Sequence, residues 1–275
     1  MGDGNYVTVA SVRRTVGILV AEISDADVGE VIAEIEPQIE RYYNTAFTPT
    51  ERIDILDGNG TYRIMLDKNP LLAVRELRID EDTEDPANLH IYRESGKIEL
   101  NSSATNSTFR VGSQKIVVKY IYGFLEESST RTTTSAAEVA GTDVSVVLGS
   151  ITGLADNDWV EIYGMDGYKE VAQINGTPSA STIILDKLIY SHEAGSTIVK
   201  LQVSEIIKKI MNVCCGLAMV ARIIGQSYTD IVGYTMGEFS VQKGEPYTQW
   251  RETASQLIAE RDDLMSRIKS RPYIA

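Results

Sequence analysis

The longest unbroken apolar pattern in the chain lies at residues 203–224, VSEIIKKIMNVCCGLAMVARII. Apolar side chains fall on nearly every face of a helix there, from Ile206 and Ile207 through Leu217 and Ala218 to Ile223 and Ile224. A helix that is apolar all round is buried or spans a membrane. Lys208, Lys209 and Arg222 leave the run too short to span. The pattern therefore predicts a central buried helix, with Ser204 as its N-cap and Glu205 in its first turn.

Upstream, Val9, Val12, Val16 and Leu19 recur at helical spacing and predict a short helix over 8–18. Ser24-Asp25-Ala26-Asp27 has the form of a capping box. It opens a second helix in which Val28, Val31, Ile32, Ile35, Ile39 and Tyr42 repeat at three and four. Pro37 predicts a kink, and Glu30, Glu34, Glu36 and Glu40 read as the solvated face. After Pro49 the period changes to two. Residues 52–56 and 62–66 read as strands of a hairpin closed by Asp57-Gly58-Asn59-Gly60. That turn lacks the further oxygen ligands of a calcium loop. Further strands are predicted at 72–79, 89–92, 97–100 and 115–122, with the acid-rich stretch 80–85 as an exposed loop.

The Ser/Thr-rich stretch 128–136 reads as a linker. Beyond it, short strands at 143–148, 159–163, 170–174, 182–185 and 197–201 alternate with turns at Gly153, Asn157-Asp158, Asp166-Gly167 and Asn175-Gly176. That spacing predicts a compact all-β sandwich or barrel. After the buried helix come a glycine-punctuated segment, 233–244, with a strand at 238–242, and a last helix opened by Glu245-Pro246. Trp250, Ala254, Leu257, Leu264 and Ile268 form a narrow seam on it, interrupted by Arg261. The predicted fold class is α+β: a helical core with a small antiparallel sheet (1–127 and 202–275), carrying an inserted all-β domain (128–201).

Composition narrows the function. A formal charge of −13 and a pI near 4.7 argue against a surface that coats nucleic acid. Cys214 and Cys215 are adjacent, so they predict buried hydrophobes rather than a bridge. The start, MGDGNYVTVASVRR, has no apolar segment of a signal peptide, and Val7 stands where myristoylation requires Ser or Thr. A chain soluble in the cytosol at synthesis is expected. His90 and His192 have no metal-spaced partners, no nucleophile elbow or phosphate loop is present, and Asp156/Asp158 fit a turn better than a glycosidase pair. No catalysis, metal or cofactor is expected.

Several stretches resemble phage head–tail connector (adaptor) proteins. They are Asp25-Ala-Asp27, Ile39-Glu-Arg-Tyr-Tyr43, Ile55-Leu-Asp-Gly-Asn-Gly60, Asn69-Pro-Leu-Leu-Ala-Val74, Gly96-Lys-Ile-Glu-Leu100 and Val117-Val-Lys-Tyr-Ile-Tyr-Gly123. The chain departs from that pattern in its inserted β unit and in Ser204, which replaces the usual proline. The insert itself, through segments such as Ala140-Gly-Thr-Asp-Val-Ser-Val-Val-Leu148 and His192-Glu-Ala-Gly-Ser-Thr197, looks like a β module recurring in phage structural proteins. The resemblance implies a virion protein at the head–tail interface, present in the host cytoplasm during assembly. It implies a ring, usually of about twelve subunits, seated on a portal and leading to tail-completion or tail proteins. DNA would pass its channel without specific binding, and no membrane is involved. Glu34, Glu40, Asp82 and Glu84 are the candidate channel acids, since an acidic lumen offers no phosphate contacts. Trp250, Leu257 and Leu264 are candidates to dock on a neighbour or the portal, the alternative being packing within their own subunit. A second reading is a glycan-binding or decoration protein whose Trp159, Tyr163 and Tyr168 stack on sugars.

Overall fold

A computed structural model describes residues 4–18, 23–165, 167–227, 233–236, 239–242 and 246–269. Met1 and Gly2, Leu19, Asp166, Glu238, Gly244 and Glu245, on which parts of the sequence reading fall, lie outside the described residues, as do the side chains of Ile224 and Ile268. The chain divides into two compact units, Met1–Tyr43 with Glu205–Ala275, and Asn44–Ser204.

The first unit is helical, and its short helices are defined by their caps. Helix α1, Val9–Val16, opens on Thr8, whose side chain accepts from Ser11 N–H at 3.1 Å while Ser11 Oγ accepts from Thr8 N–H at 3.0 Å. It ends at Gly17 in the left-handed conformation, φ 74°. Helix α2, Asp25–Tyr43, opens on Ser24, which accepts from Asp27 N–H at 3.2 Å. The helix continues through Pro37 to Tyr43. Arg13 ties the two together, at 2.7 Å from the Asp25 carboxylate.

Helix α3, Glu205–Ser227, packs on α1, on α2 and on the last helix, α4, Pro246–Lys269. The close approach is at Gly216, where an added Cβ would lie 2.6 Å from Val16 and 3.6 Å from Leu257. Ile207, Ile210, Met211, Val213, Cys215, Met219 and Val220 are buried. Cys214, Leu217 and Ala218 are only half-buried, so α3 is not enclosed on every face as its composition predicts. Glu36 also departs from the reading. It belongs to the buried stripe of α2 with Val28, Ile32 and Ile39, not to the solvated face. The reason is a local need for acceptors: its carboxylate takes N–H bonds from Asn5 and Tyr6 at 2.9 Å and from Val7 at 3.2 Å.

The second unit is β, and here the structure overturns the predicted fold class. The described chain is mostly antiparallel β, 38% strand against 28% helix, rather than a helical core with a small sheet. One sheet has the order β1-β7-β3-β4, from β1 (Thr50–Gly58), β7 (Gly112–Tyr122), β3 (Leu71–Ile79) and β4 (Asp82–Glu84). A three-stranded sheet, β2-β6-β5, is formed by β2 (Arg63–Met65), β6 (Lys97–Leu100) and β5 (Leu89–Tyr92). Both contribute to one core around Leu77, Ile79, Ile98, Phe109, Ile116 and Tyr120.

A second core, with Val146, Val160, Ile162, Ile174, Leu185 and Ile198, lies within the C-terminal β module. The module's larger sheet has the order β11-β10-β13-β8, from β11 (Lys169–Gln173), β10 (Trp159–Tyr163), β13 (Thr197–Val203) and β8 (Leu125–Thr133). The ladder of β12 (Thr182–Leu188) with β9 (Gly141–Val147) supplies its other strands. Back in the helical unit's stretch of chain, β14 (Gly233–Met236) and β15 (Phe239–Gln242) form an antiparallel hairpin.

Three local readings are corrected with the fold class. Asp57-Gly58-Asn59-Gly60 does not close a hairpin: β1 pairs with β7, and β2 pairs with β6. Its glycines instead admit another backbone, since a Cβ on Gly58 would fall 1.5 Å from the Arg110 carbonyl oxygen. The supposed linker at 128–136 is largely strand β8, paired from Leu125↔Val203 to Thr133↔Thr197. Its threonines suit an edge strand with partly open faces. The acid stretch 80–85 folds back as β4 onto β3, and this buries Glu84 completely.

Candidate functional site

Most of the residues weighed for covalent or acid–base chemistry in the sequence are buried or make structural contacts. Burial pushes the Cys214 thiol up to about 11 and the Cys215 thiol up to about 12, which suppresses the reactive thiolate. His192 is buried, with Nε2 2.8 Å from Glu170 Oε1. Glu170 also accepts the N–H groups of Ile189 at 2.7 Å and Tyr190 at 3.0 Å, so the pair fixes the loop after β12. Asp156 accepts from Gly176 N–H at 2.8 Å, and Asp158 pairs with Lys200 at 2.7 Å. His90 is exposed on β5. Among the described residues no cluster of His, Cys, Asp or Glu is arranged to hold a metal, and no helix is long and apolar enough to cross a membrane.

The four candidate channel acids do not form a group. Glu34 is exposed on α2, 3.6 Å from Arg222, which also lies 3.7 Å from Glu30. Glu40 is half-buried and accepts a hydrogen bond from the Tyr6 hydroxyl. Asp82 is exposed in the β unit, 3.5 Å from Arg110. Glu84, at 0% exposure, accepts from Asn88 Nδ2 at 3.0 Å, Thr105 N–H at 3.1 Å and Asn106 N–H at 3.2 Å. Burial alone would raise its carboxyl, but these donors hold it below the usual carboxylate range. Glu84 is an internal acceptor that organises residues 105 and 106, and it does not face solvent.

Of the candidate docking residues on α4, Leu257 and Leu264 are 5% and 6% exposed within this single chain. Leu257 packs toward Gly216 of α3. Trp250 is half-buried. The open apolar surface of the helical unit lies beside that seam. It is a groove of about 770 Å³ formed by Ile35, Ile39 and Tyr42 of α2, Cys214, Leu217 and Ala218 of α3, and Arg261 and Met265 of α4. Tyr42 is 58% exposed on it. The sequence did carry a signal for this surface. With Glu36 occupying the core stripe of α2, Ile35 is left a position aside, on a second apolar line with Ile39 and Tyr42.

In the β unit a cleft of about 510 Å³ lies between the β5 edge and the loops around β11 and β12. Its walls include Leu89–Arg93, Asn101, Tyr168, Lys169, Glu170 and Tyr190. Tyr168 and Tyr190 stack in parallel, with centroids 4.3 Å apart and an interplanar angle of 9°. Arg93 pairs with the buried Glu161, which also binds Lys169 at 2.7 Å. Trp159 and Tyr163 stand on β10 and do not line this cleft; of the three aromatic residues singled out in the sequence, only Tyr168 does. No protein-family model matches the chain, and no curated protein is significantly similar to it.

Proposed function

We propose that this protein is a virion structural adaptor that assembles as a ring on a portal and extends the DNA channel toward the tail. The observation that carries the reading is the groove of α2, α3 and α4. It leaves Tyr42, Leu217 and Met265 along an open groove of a unit that has its own buried core. Contiguous exposed apolar surface marks interaction sites, and a neighbouring subunit or portal helix would cover it. The resemblance of the segments between Asp25 and Gly123 to connector proteins names the assembly. The charge of −13 fits a passage that DNA traverses without adhering. Glu34 and Asp82 are exposed and available to such a lumen, whereas Glu84 is withdrawn from the proposal.

The test is imaging and sedimentation velocity of the purified protein, alone and with portal rings. Closed rings on the portal are expected, and Leu217→Arg should abolish them while the folded monomer persists. Monomers that ignore portals, or rings unaffected by Leu217→Arg, would remove the basis of the reading.

A further inference from the structure

We propose that the cleft between β5 and the Tyr168–Tyr190 stack binds a neutral saccharide. Its volume of about 510 Å³ falls within the range of small-molecule sites. Tyr190 backs one face of Tyr168, which is 49% exposed along the cleft and so offers a supported aromatic platform. Such a surface takes an apolar ring face while its rim supplies polar partners. The platform is fixed in advance. Tyr190 is held through its own N–H on Glu170, and Glu170 is held by His192.

Charge selects the ligand class. The cations at the cleft, Arg93 and Lys169, both pair with Glu161, and the carboxylate of Glu170 is engaged by His192 and by the N–H groups of Ile189 and Tyr190. An anionic ligand would have to displace existing partners, and a cationic one would meet carboxylates already engaged. A neutral polyol needs neither exchange.

The edge of β5 is partly used by the chain itself. Asn101 N–H bonds to the Asn88 carbonyl, which fixes the pairing phase so that Leu89, Ile91 and Arg93 direct their backbone groups away from β6. Leu89 N–H is taken by the Pro86 carbonyl, and the Arg93 carbonyl is taken by Leu71 N–H at 2.7 Å. Between these ends the N–H and carbonyl of Ile91 face away from β6, where they can meet ligand hydroxyl groups.

The full chain should be probed on a printed array of neutral and acidic oligosaccharides, with hits repeated in solution by saturation-transfer NMR. Neutral hexose or N-acetylhexosamine probes are expected to bind. Tyr168→Ala should weaken them by about tenfold or more, and Tyr168→Trp should retain them. His90→Ala, on the opposite wall, gives an independent loss that does not depend on the tyrosine stack. Binding of acidic glycans alone, of no glycan, or of extended peptides that compete at the cleft would overturn the proposal. So would unchanged binding by a folded Tyr168→Ala protein.

Discussion

Val16 of α1 reaches the backbone of α3 at Gly216, where a methyl group would sit 2.6 Å from Val16 Cγ2. Glycine is unfavourable inside a helix by about 1 kcal/mol relative to alanine. Here its missing side chain is what lets α1 and Leu257 of α4 close on the same point of α3. Enlarging it therefore sets helix propensity against overlap with a stiff β-branched neighbour. Gly216→Leu should cost roughly 1–3 kcal/mol or more through overpacking, read as a lower urea midpoint. Val16→Ala should recover part of the loss in Gly216→Ala, and a double-mutant cycle measures that coupling.

Leu257 and Leu217 separate core from surface on the same helical unit. Leu257→Ala should destabilise the monomer by about 2–5 kcal/mol, as expected for a buried leucine. Leu217→Ala should cost clearly less, because Leu217 borders the open groove. Chemical denaturation of both variants decides the matter. Equal losses would place Leu217 in the core after all.

Glu36 anchors the residues before α1 through N–H groups of Asn5, Tyr6 and Val7. Glu36→Ala removes their shared acceptor, at a cost on the order of 1–3 kcal/mol. Amide exchange at Asn5, Tyr6 and Val7 should accelerate in that variant, while Glu36→Gln, which keeps one acceptor oxygen, should protect them in part. Unchanged exchange would mean that other contacts hold the segment.

In the β unit, Asp54 is buried and accepts from Arg52 Nε at 2.6 Å, Tyr120 OH at 2.8 Å and Asp67 N–H at 3.2 Å. Burial alone would raise its carboxyl, but the Arg52, Tyr120 and Asp67 donors outweigh it and hold it below the usual carboxylate range. A carboxylate depressed on folding stabilises above its unfolded pKa and loses that contribution as pH falls through the folded value. Wild type should therefore exceed Asp54→Asn in stability at pH 7, and the gap should narrow below about pH 4. Urea titrations at several pH values test this; a gap that widens in acid would contradict it.

What was legible in the sequence follows from the range of the forces involved. Ser24 caps its helix as read, because a cap is satisfied within a few residues. Strand periodicity was likewise local, and β3, β5, β6 and β10 stand close to where alternation placed them. Partners were not legible. Asn59 Oδ1 does accept from Thr61 N–H at 2.9 Å, as a turn should, yet the strands on either side join different sheets. The Ser/Thr run became β8 because β13 offers it a ladder, which nothing inside the run announces. Glu36 was visible as a charge on an apolar line and was misread as solvated, since its donors lie some thirty residues away. Tyr168 was legible as a candidate, but its partner Tyr190 was not, because the platform needs two loops to converge.

The division of the chain also bears on the order of its synthesis. The helical unit is built from residues on both sides of Asn44–Ser204. As the protein leaves the ribosome, Val28, Val31 and Ile32 of α2 emerge long before the face of α3 that accompanies them in the unit. At about 5–20 residues per second the intervening stretch takes on the order of ten to thirty seconds to translate. During that interval the β unit can complete its own cores, while the nascent N-terminal helices carry bare apolar surface. Chaperone capture of stalled nascent chains should accordingly be strongest before α3 is exposed and fall sharply once it has cleared the exit tunnel.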